Sequence, residues 1–231
     1  MESRFQDKIW ILFKSTVMFF GLTNSPATFQ RLMDSIFAEK ITEGWLTVYM
    51  DNILITSESR EDLAKKTRLV LQKLQDNNLY LKPEKCEFNV TRTDYLGFII
   101  KQGQISMDPV KVKGIADWPA LHTLKQLRSF IGFCNFYHKF ICCFSDKCKP
   151  LNKLLKKNTP WDWTPDRHST FEDLKLEFQK EPVLCIPDQN KPFCIEADAS
   201  KWASGAVLSQ ADSNGDWHPV AYLSKMFNQV E

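Results

Sequence analysis

The stretch that decides the fold is Thr47–Thr56, TVYMDNILIT. Apolar and polar residues alternate on either side of a two-residue polar tip. This is the pattern of a tight β-hairpin, and it places Asp51 and Asn52 at the turn. Two adjacent carboxylates at such a tip would hold a divalent metal. This chain offers one carboxylate and one neutral amide, and what it can do turns on that difference.

Working outward, GLTNSPATFQRLMDSIFAEKI (Gly21–Ile41) opens with a cap-like Asn24-Ser25 and then Pro26, which suits a helix start. Phe29, Leu32, Met33, Ile36, Phe37 and Ile41 recur at three- and four-residue spacing, so that face is expected to pack inward. Beyond the hairpin, Ser59 and Asp62 form a capping-box pattern ahead of Leu63, Val70, Leu71 and Leu74, which predicts a second amphipathic helix. DYLGFIIKQGQISM (Asp94–Met107) reads as a hairpin turning at Gly103. From Thr123 the pattern is helical again, with Leu124, Leu127, Phe130, Ile131 and Cys134 inward and Lys125 and Arg128 outward. NTPWDWTPDRH (Asn158–His168) interrupts this region and is the best boundary candidate, with a further helix after it. The last forty residues read as three short strands, with Asn214-Gly215 marking a hairpin.

At 231 residues, with 43% hydrophobic, 13% aromatic and 25% charged residues and only 8 glycines, the chain can bury a real core and has little room for long disordered or low-complexity tracts. Its first residues, MESRFQDKIW, lack the apolar core of a signal peptide, and no apolar run approaches the roughly 20 residues that span a bilayer. The expected location is intracellular, cytoplasmic or nuclear, with no membrane partner. Seven cysteines at irregular spacing fit neither a secreted disulfide framework nor paired zinc ligands, so reduced thiols are expected. Cys142, Cys143 and Cys148 cluster, and the reading favoured for them is a partly buried helix end. The net charge of +2 conceals an asymmetry. Residues 111–157 carry ten Lys/Arg against two Asp, a net +8, whereas residues 160–231 carry six basic against twelve acidic residues, a net −6. A basic block interleaved with aromatics can track a phosphate backbone, although charge runs are more commonly solvated helix faces.

Seven segments in order carry a family resemblance: FGLTNSPATFQ, VYMDNILI, LKPEKCEF, YLGFII, LRSFIGFCNFYHKFI, PFCIEADAS and HPVAYLSK. They resemble the polyproteins of gypsy-type LTR retrotransposons over nearly the whole chain. The resemblance implies an α+β fold, a partial polymerase palm and helical thumb followed by an incomplete RNase H-like β-sheet. It divides the chain into a palm remnant with the primer-grip hairpin (1–110), a basic helical thumb and connection (111–158), and a connecting helix with the first RNase H-like strands (159–231).

The resemblance also implies site residues. Family polymerases hold two magnesium ions, with manganese as a substitute, on three carboxylates, one of them on an early palm strand expected to precede this chain. Asp51 matches the first Asp of the hairpin pair, and Asn52 replaces the second. Two close divalent cations need several anionic oxygens, which one carboxylate supplies poorly, even though an amide oxygen can still coordinate magnesium. Asp198 matches the first of four RNase H carboxylates, the others being expected beyond the C-terminus, with Glu231 too early to stand in. Asp51, Asn52 and Asp198 are therefore vestigial catalytic matches, and Asp51 and Asp198 weak metal ligands.

Nucleic-acid contacts are implied for Phe20, Gly21, Gln30, Tyr49 and Met50 around the palm, for Tyr95, Leu96 and Gly97 at the primer grip, and for Lys125, Arg128, His138 and Lys139 on the thumb. Core packing is the favoured reading of Phe136 and Tyr137, and a helix-edge position is the plain alternative for Gln30. The resulting expectation is a fragment that binds RNA–DNA hybrid or single-stranded nucleic acid without complete catalytic sites. Two rivals are a weak metal-dependent nuclease, or residual polymerase or RNase H activity, and a non-catalytic subunit that oligomerises through its open terminal sheet.

Overall fold

A computed structural model describes residues 18, 21–180, 183–200 and 203–227. The chain folds as two compact units, Met1–Asn89 and Val90–Glu231. Helices and antiparallel sheets make it an α+β protein.

The first unit runs α1 (Ser25–Thr42), β1 (Leu46–Tyr49), β2 (Asn52–Ile55) and α2 (Arg60–Asp76). Pro26 sits in the first turn of α1, and Asn24 precedes the helix without a side-chain cap. Ser59 caps α2 by accepting from the Asp62 amide at 3.2 Å. The second half of the expected capping box is missing, because the Asp62 carboxylate turns to the Ser57 hydroxyl at 2.6 Å and to Lys66 at 2.7 Å. Met33 and Phe37 of α1, Leu46 of β1 and Val70 and Leu74 of α2 form the core. Leu32 and Leu71, expected inside, are exposed. A two-stranded hairpin covers only a narrow stripe of each helix, too narrow to reach them.

The hairpin itself corrects the sequence reading by one position. Tyr49 pairs with Asn52, so the two-residue turn is Met50-Asp51 and Asn52 belongs to the ladder.

The second unit begins with β3 (Arg92–Tyr95), β4 (Phe98–Lys101) and β5 (Gln104–Met107), followed by α3 (Pro109–Ala116), α4 (Leu124–Phe136), α5 (Phe144–Lys147), α6 (Lys149–Leu154) and α7 (Pro165–Gln179). Strand β6 (Val183–Cys185) then joins the first sheet in the order β3-β4-β5-β6. The segment expected as one hairpin is two: Leu96-Gly97 turns β3 into β4 before Gly103 turns β4 into β5. A continuous core joins Leu127, Phe130, Ile131 and Cys134 of α4 to Leu151 and Leu154 of α6 and to Phe171, Leu174 and Phe178 of α7. Trp161 and Trp163 stack 5.4 Å apart against that core, so packing continues through the proline- and tryptophan-containing stretch.

The terminal strands are β7 (Cys194–Ala199), β8 (Ala203–Ala211) and β9 (Trp217–Met226), an antiparallel sheet in that order. Between β8 and β9, Gly215 takes φ 89°, and Asp212 accepts from the amides of Asn214 at 2.8 Å and Asp216 at 3.0 Å. A left-handed glycine and an Asx-type acceptor are the turn chemistry that Asn214-Gly215 announces.

Candidate nucleic-acid interface

In the first unit the candidate residues gather at the β1–β2 turn. Met50 sits at φ 56°, a left-handed conformation that costs a non-glycine residue about 1–2 kcal/mol. Gln30, one side chain on the edge of α1, holds it there. Its Oε1 accepts from the Met50 amide at 2.6 Å, and its Nε2 donates to the Val48 carbonyl at 3.2 Å and to Asp34 Oδ1 at 2.8 Å. Gln30 is thus a brace for the turn, a role beyond that of a bare helix edge. Backbone strain kept by a dedicated brace is the pattern expected of a functional turn.

The brace presents Tyr49 and Asp51 to solvent, with Asn52 beside them. Gly21 is exposed with φ 100°, while Phe20 lies outside the described residues.

In the second unit a different turn is held by a different latch. Leu96 and Gly97 take φ 51° and 81°, the paired positive angles of a two-residue hairpin turn. The Tyr137 hydroxyl donates to the Gly97 carbonyl at 3.0 Å. A Cβ on Gly97 would stand 3.2 Å from that hydroxyl and 3.5 Å from Phe136 Cε1, so glycine serves both the angle and the close approach. Phe98 stacks on Phe136 at 5.2 Å and meets Tyr137 edge-on at 5.5 Å. Tyr137 is 2% exposed and is a core residue, whereas Phe136 remains 54% exposed and shows an aromatic edge beside the turn. Burial raises the pKa of both the Tyr95 and Tyr137 hydroxyls. The Tyr95 hydroxyl is buried without a hydrogen-bond partner among the described residues.

Helix α4 carries the basic residues on the face opposite its core. Thr123 and Gln126 form a full capping box: the Thr123 hydroxyl accepts from the Gln126 amide at 3.3 Å, and Gln126 Oε1 accepts from the Thr123 amide at 3.1 Å. With the helix start set in this way, Lys125 and Arg128 point to solvent while Leu127, Phe130 and Ile131 are buried. Lys139 is exposed just past the helix, and His138 Nδ1 lies 2.5 Å from the Asn135 carbonyl. That contact makes Nδ1 the protonated nitrogen and leaves Nε2 for a ligand.

The structure therefore joins the Leu96-Gly97 turn after Tyr95 to the end of α4 through Tyr137, and joins Gln30 to Met50. Sequence reasoning missed the Tyr137 latch and the Gln30 brace. For Tyr137 the available signal was a hydroxyl on an otherwise apolar ring, which usually finds a partner when buried.

Asp51 and Asp198 belong to different units and are described in turn. The Asn52 Nδ2 donates to Asp51 Oδ1 at 3.5 Å. Asp198, on β7 opposite Gly205, is exposed and accepts from the Ala199 amide at 2.8 Å. Among the described residues no three His, Cys, Asp or Glu side chains gather to hold a metal ion. Two close magnesium ions need a cluster of anionic oxygens, and these donors do not fit them.

Comparison with known proteins agrees with this architecture. A family model described as reverse transcriptase (RNA-dependent DNA polymerase) matches residues 4–100. A second, an RNase H-like domain found in reverse transcriptase, matches residues 163–231. The chain is 40% identical over 213 residues to the retrovirus-related Pol polyprotein from transposon 297 of Drosophila melanogaster, covering 92% of this chain and 20% of that protein. It is 36% identical over 220 residues to the transposon Tf2-7 polyprotein of Schizosaccharomyces pombe, covering 95% of this chain and 16% of that protein.

Among solved structures, the foamy viral protease-reverse transcriptase in complex with dsDNA superimposes with a TM-score of 0.75 at 25% identity, covering 92% of this chain and 44% of that one. The same enzyme in complex with an RNA/DNA hybrid gives 0.74 at 25% identity, covering 92% and 28%. The chain thus spans a fifth or less of the two polyproteins and under half of either structure.

Proposed function

Since the chain belongs to the reverse transcriptase and RNase H-like family of retrotransposon polyproteins, we propose that it is a nucleic-acid-binding piece of that machinery which completes neither catalytic site. The proposed ligand is an RNA–DNA hybrid, with single-stranded nucleic acid as a weaker one. We assign it to the gypsy-type branch on the seven ordered sequence segments, and place its action inside the cell, in cytoplasm or nucleus, where such hybrids form.

One observation carries the reading: an exposed cationic face on α4 is tied by Tyr137 to the strained Leu96-Gly97 turn, beside a half-exposed Phe136. Cations supply phosphate attraction and aromatic edges supply stacking, while the latched turn fixes the register between them. Magnesium enters as a weak ligand of Asp51 or Asp198 and carries no step of this proposal.

Fluorescence anisotropy with a labelled hybrid between 50 and 200 mM salt tests it. Lys125, Arg128 and Lys139 predict a log–log salt slope of about −2 to −3, at roughly 0.9 per neutralised phosphate. Binding that is absent, or indifferent to salt, would overturn the proposal.

A second reading rests on β7, which pairs only with β8 among the described residues and is exposed along almost its whole length. An open strand edge accepts another strand, so self-association is the expected alternative, or docking onto a longer relative. Sizing chromatography across a concentration series separates the two readings, and a strict monomer at high concentration would remove the second.

A further inference from the structure

Away from the interface, the loop entering α5 carries two consecutive thiols. Cys142 and Cys143 are both exposed and unoxidised, with Sγ atoms 3.5 Å apart. Adjacent side chains on an extended chain point to opposite sides. Here Cys143 takes φ 53° and ψ 35°, and this left-handed step brings the second sulfur round to the first. Ile141 and Phe144 are buried on either side and anchor the step, and the Ser145 amide donates to the Ser224 hydroxyl of β9 at 2.9 Å. Gly205 of β8 lies beside the pair, where an added Cβ would meet Cys143 Sγ at an ordinary contact distance of 3.5 Å.

Burial, and then the hydrogen bond to Cys143, raise the pKa of the Cys142 thiol. A protonated thiol is a poor nucleophile and a poor zinc ligand, and no third metal-ligating side chain joins the pair among the described residues. What remains suited to it is a soft centre that takes up thiols two at a time.

We propose that Cys142 and Cys143 form a dithiol site for thiophilic trivalent arsenicals, bridged from sulfur to sulfur. With phenylarsonous acid, the hydrated form of phenylarsine oxide, two As–S bonds form and two As–OH bonds break. Each thiol proton leaves with a hydroxide as water, and arsenic remains trivalent throughout. Soft thiolate–arsenic bonding supplies the affinity. The preset 3.5 Å spacing makes the second bond intramolecular, so the chelate outlasts a large excess of monothiol.

The test uses the full reduced chain, one equivalent of phenylarsine oxide, a large excess of 2-mercaptoethanol and intact mass spectrometry. One arsenical should be retained, then released by 2,3-dimercaptopropanol, and both Cys142→Ser and Cys143→Ser should lose it. A parallel measurement needs no variant: alkylation and peptide mapping of the wild-type chain should show Cys142 and Cys143 shielded by the arsenical while Cys86 reacts. An adduct stripped by the monothiol, one that persists in both serine variants, or shielding of other cysteines in place of this pair would overturn the site.

Discussion

Replacing Tyr137 by phenylalanine removes one oxygen from the second unit and nothing else. That oxygen donates to the Gly97 carbonyl at 3.0 Å across 40 residues of sequence. A neutral hydrogen bond of this kind contributes about 1 kcal/mol net. The Tyr137→Phe chain should therefore unfold about 2–4 °C lower in that unit. Gly97→Ala should cost more. It places an L residue at φ 81°, at about 1–2 kcal/mol, and sets its Cβ 3.2 Å from the same hydroxyl. Combining the two removes the close contact but leaves the unfavourable angle, so the double variant should recover roughly 0.5–1 kcal/mol relative to the sum of the singles. Urea unfolding followed by tryptophan fluorescence, with hybrid affinity measured alongside, completes the cycle. Additivity within about 0.3 kcal/mol would show that the hydroxyl does not touch the turn, and the latch argument would fail.

Other outcomes follow from the same geometry. Gln30→Ala should leave the Met50 amide without its acceptor and cost about 1–2 kcal/mol, read most directly as faster hydrogen exchange at Met50. Lys125→Ala and Arg128→Ala should each weaken hybrid binding evenly across sequences and flatten the salt slope by about one, and an unchanged slope would place them off the backbone path. Primer extension and template cleavage should be undetectable in the wild type and unaltered in Asp51→Asn and Asp198→Asn; product lost in either variant would mean that the carboxylate concerned catalyses. Burial pushes the Cys148 thiol from 9.0 up to about 12. The unfolded chain therefore releases this proton first, and the contribution of Cys148 to stability, complete below about pH 9, is lost as pH rises toward 12. Urea midpoints at pH 8 and 10.5 should fall less for Cys148→Ala than for wild type.

Much of this was legible in the chain because local chemistry and tertiary packing agree. The α4 period separates Lys125 and Arg128 from Leu127 and Phe130 with only its own spacing, and burial follows it. The β8–β9 turn is written in Asn214-Gly215. Legibility failed where a residue's local pattern permits two places and a distant neighbour chooses. Leu32 and Leu71 lie on the right stripes, yet both are exposed. Asn52 looked like a turn residue until register with Tyr49 drew it into the ladder and left the strained position to Met50.

The sequence by itself carried the family resemblance, most of the order of helices and strands, the cationic face of α4 and the amide beside Asp51, since each is a matter of residue identity and short-range spacing. Tertiary structure alone decided that Gln30 braces one turn, that Tyr137 latches another, that Phe136 shows its edge while Tyr137 is buried, and that Cys142 and Cys143 meet at 3.5 Å. The reason is one of range. Periodicity reports which face of an element avoids water, whereas a hydrogen bond or a thiol pair depends on backbone angles and partners that only the assembled fold supplies.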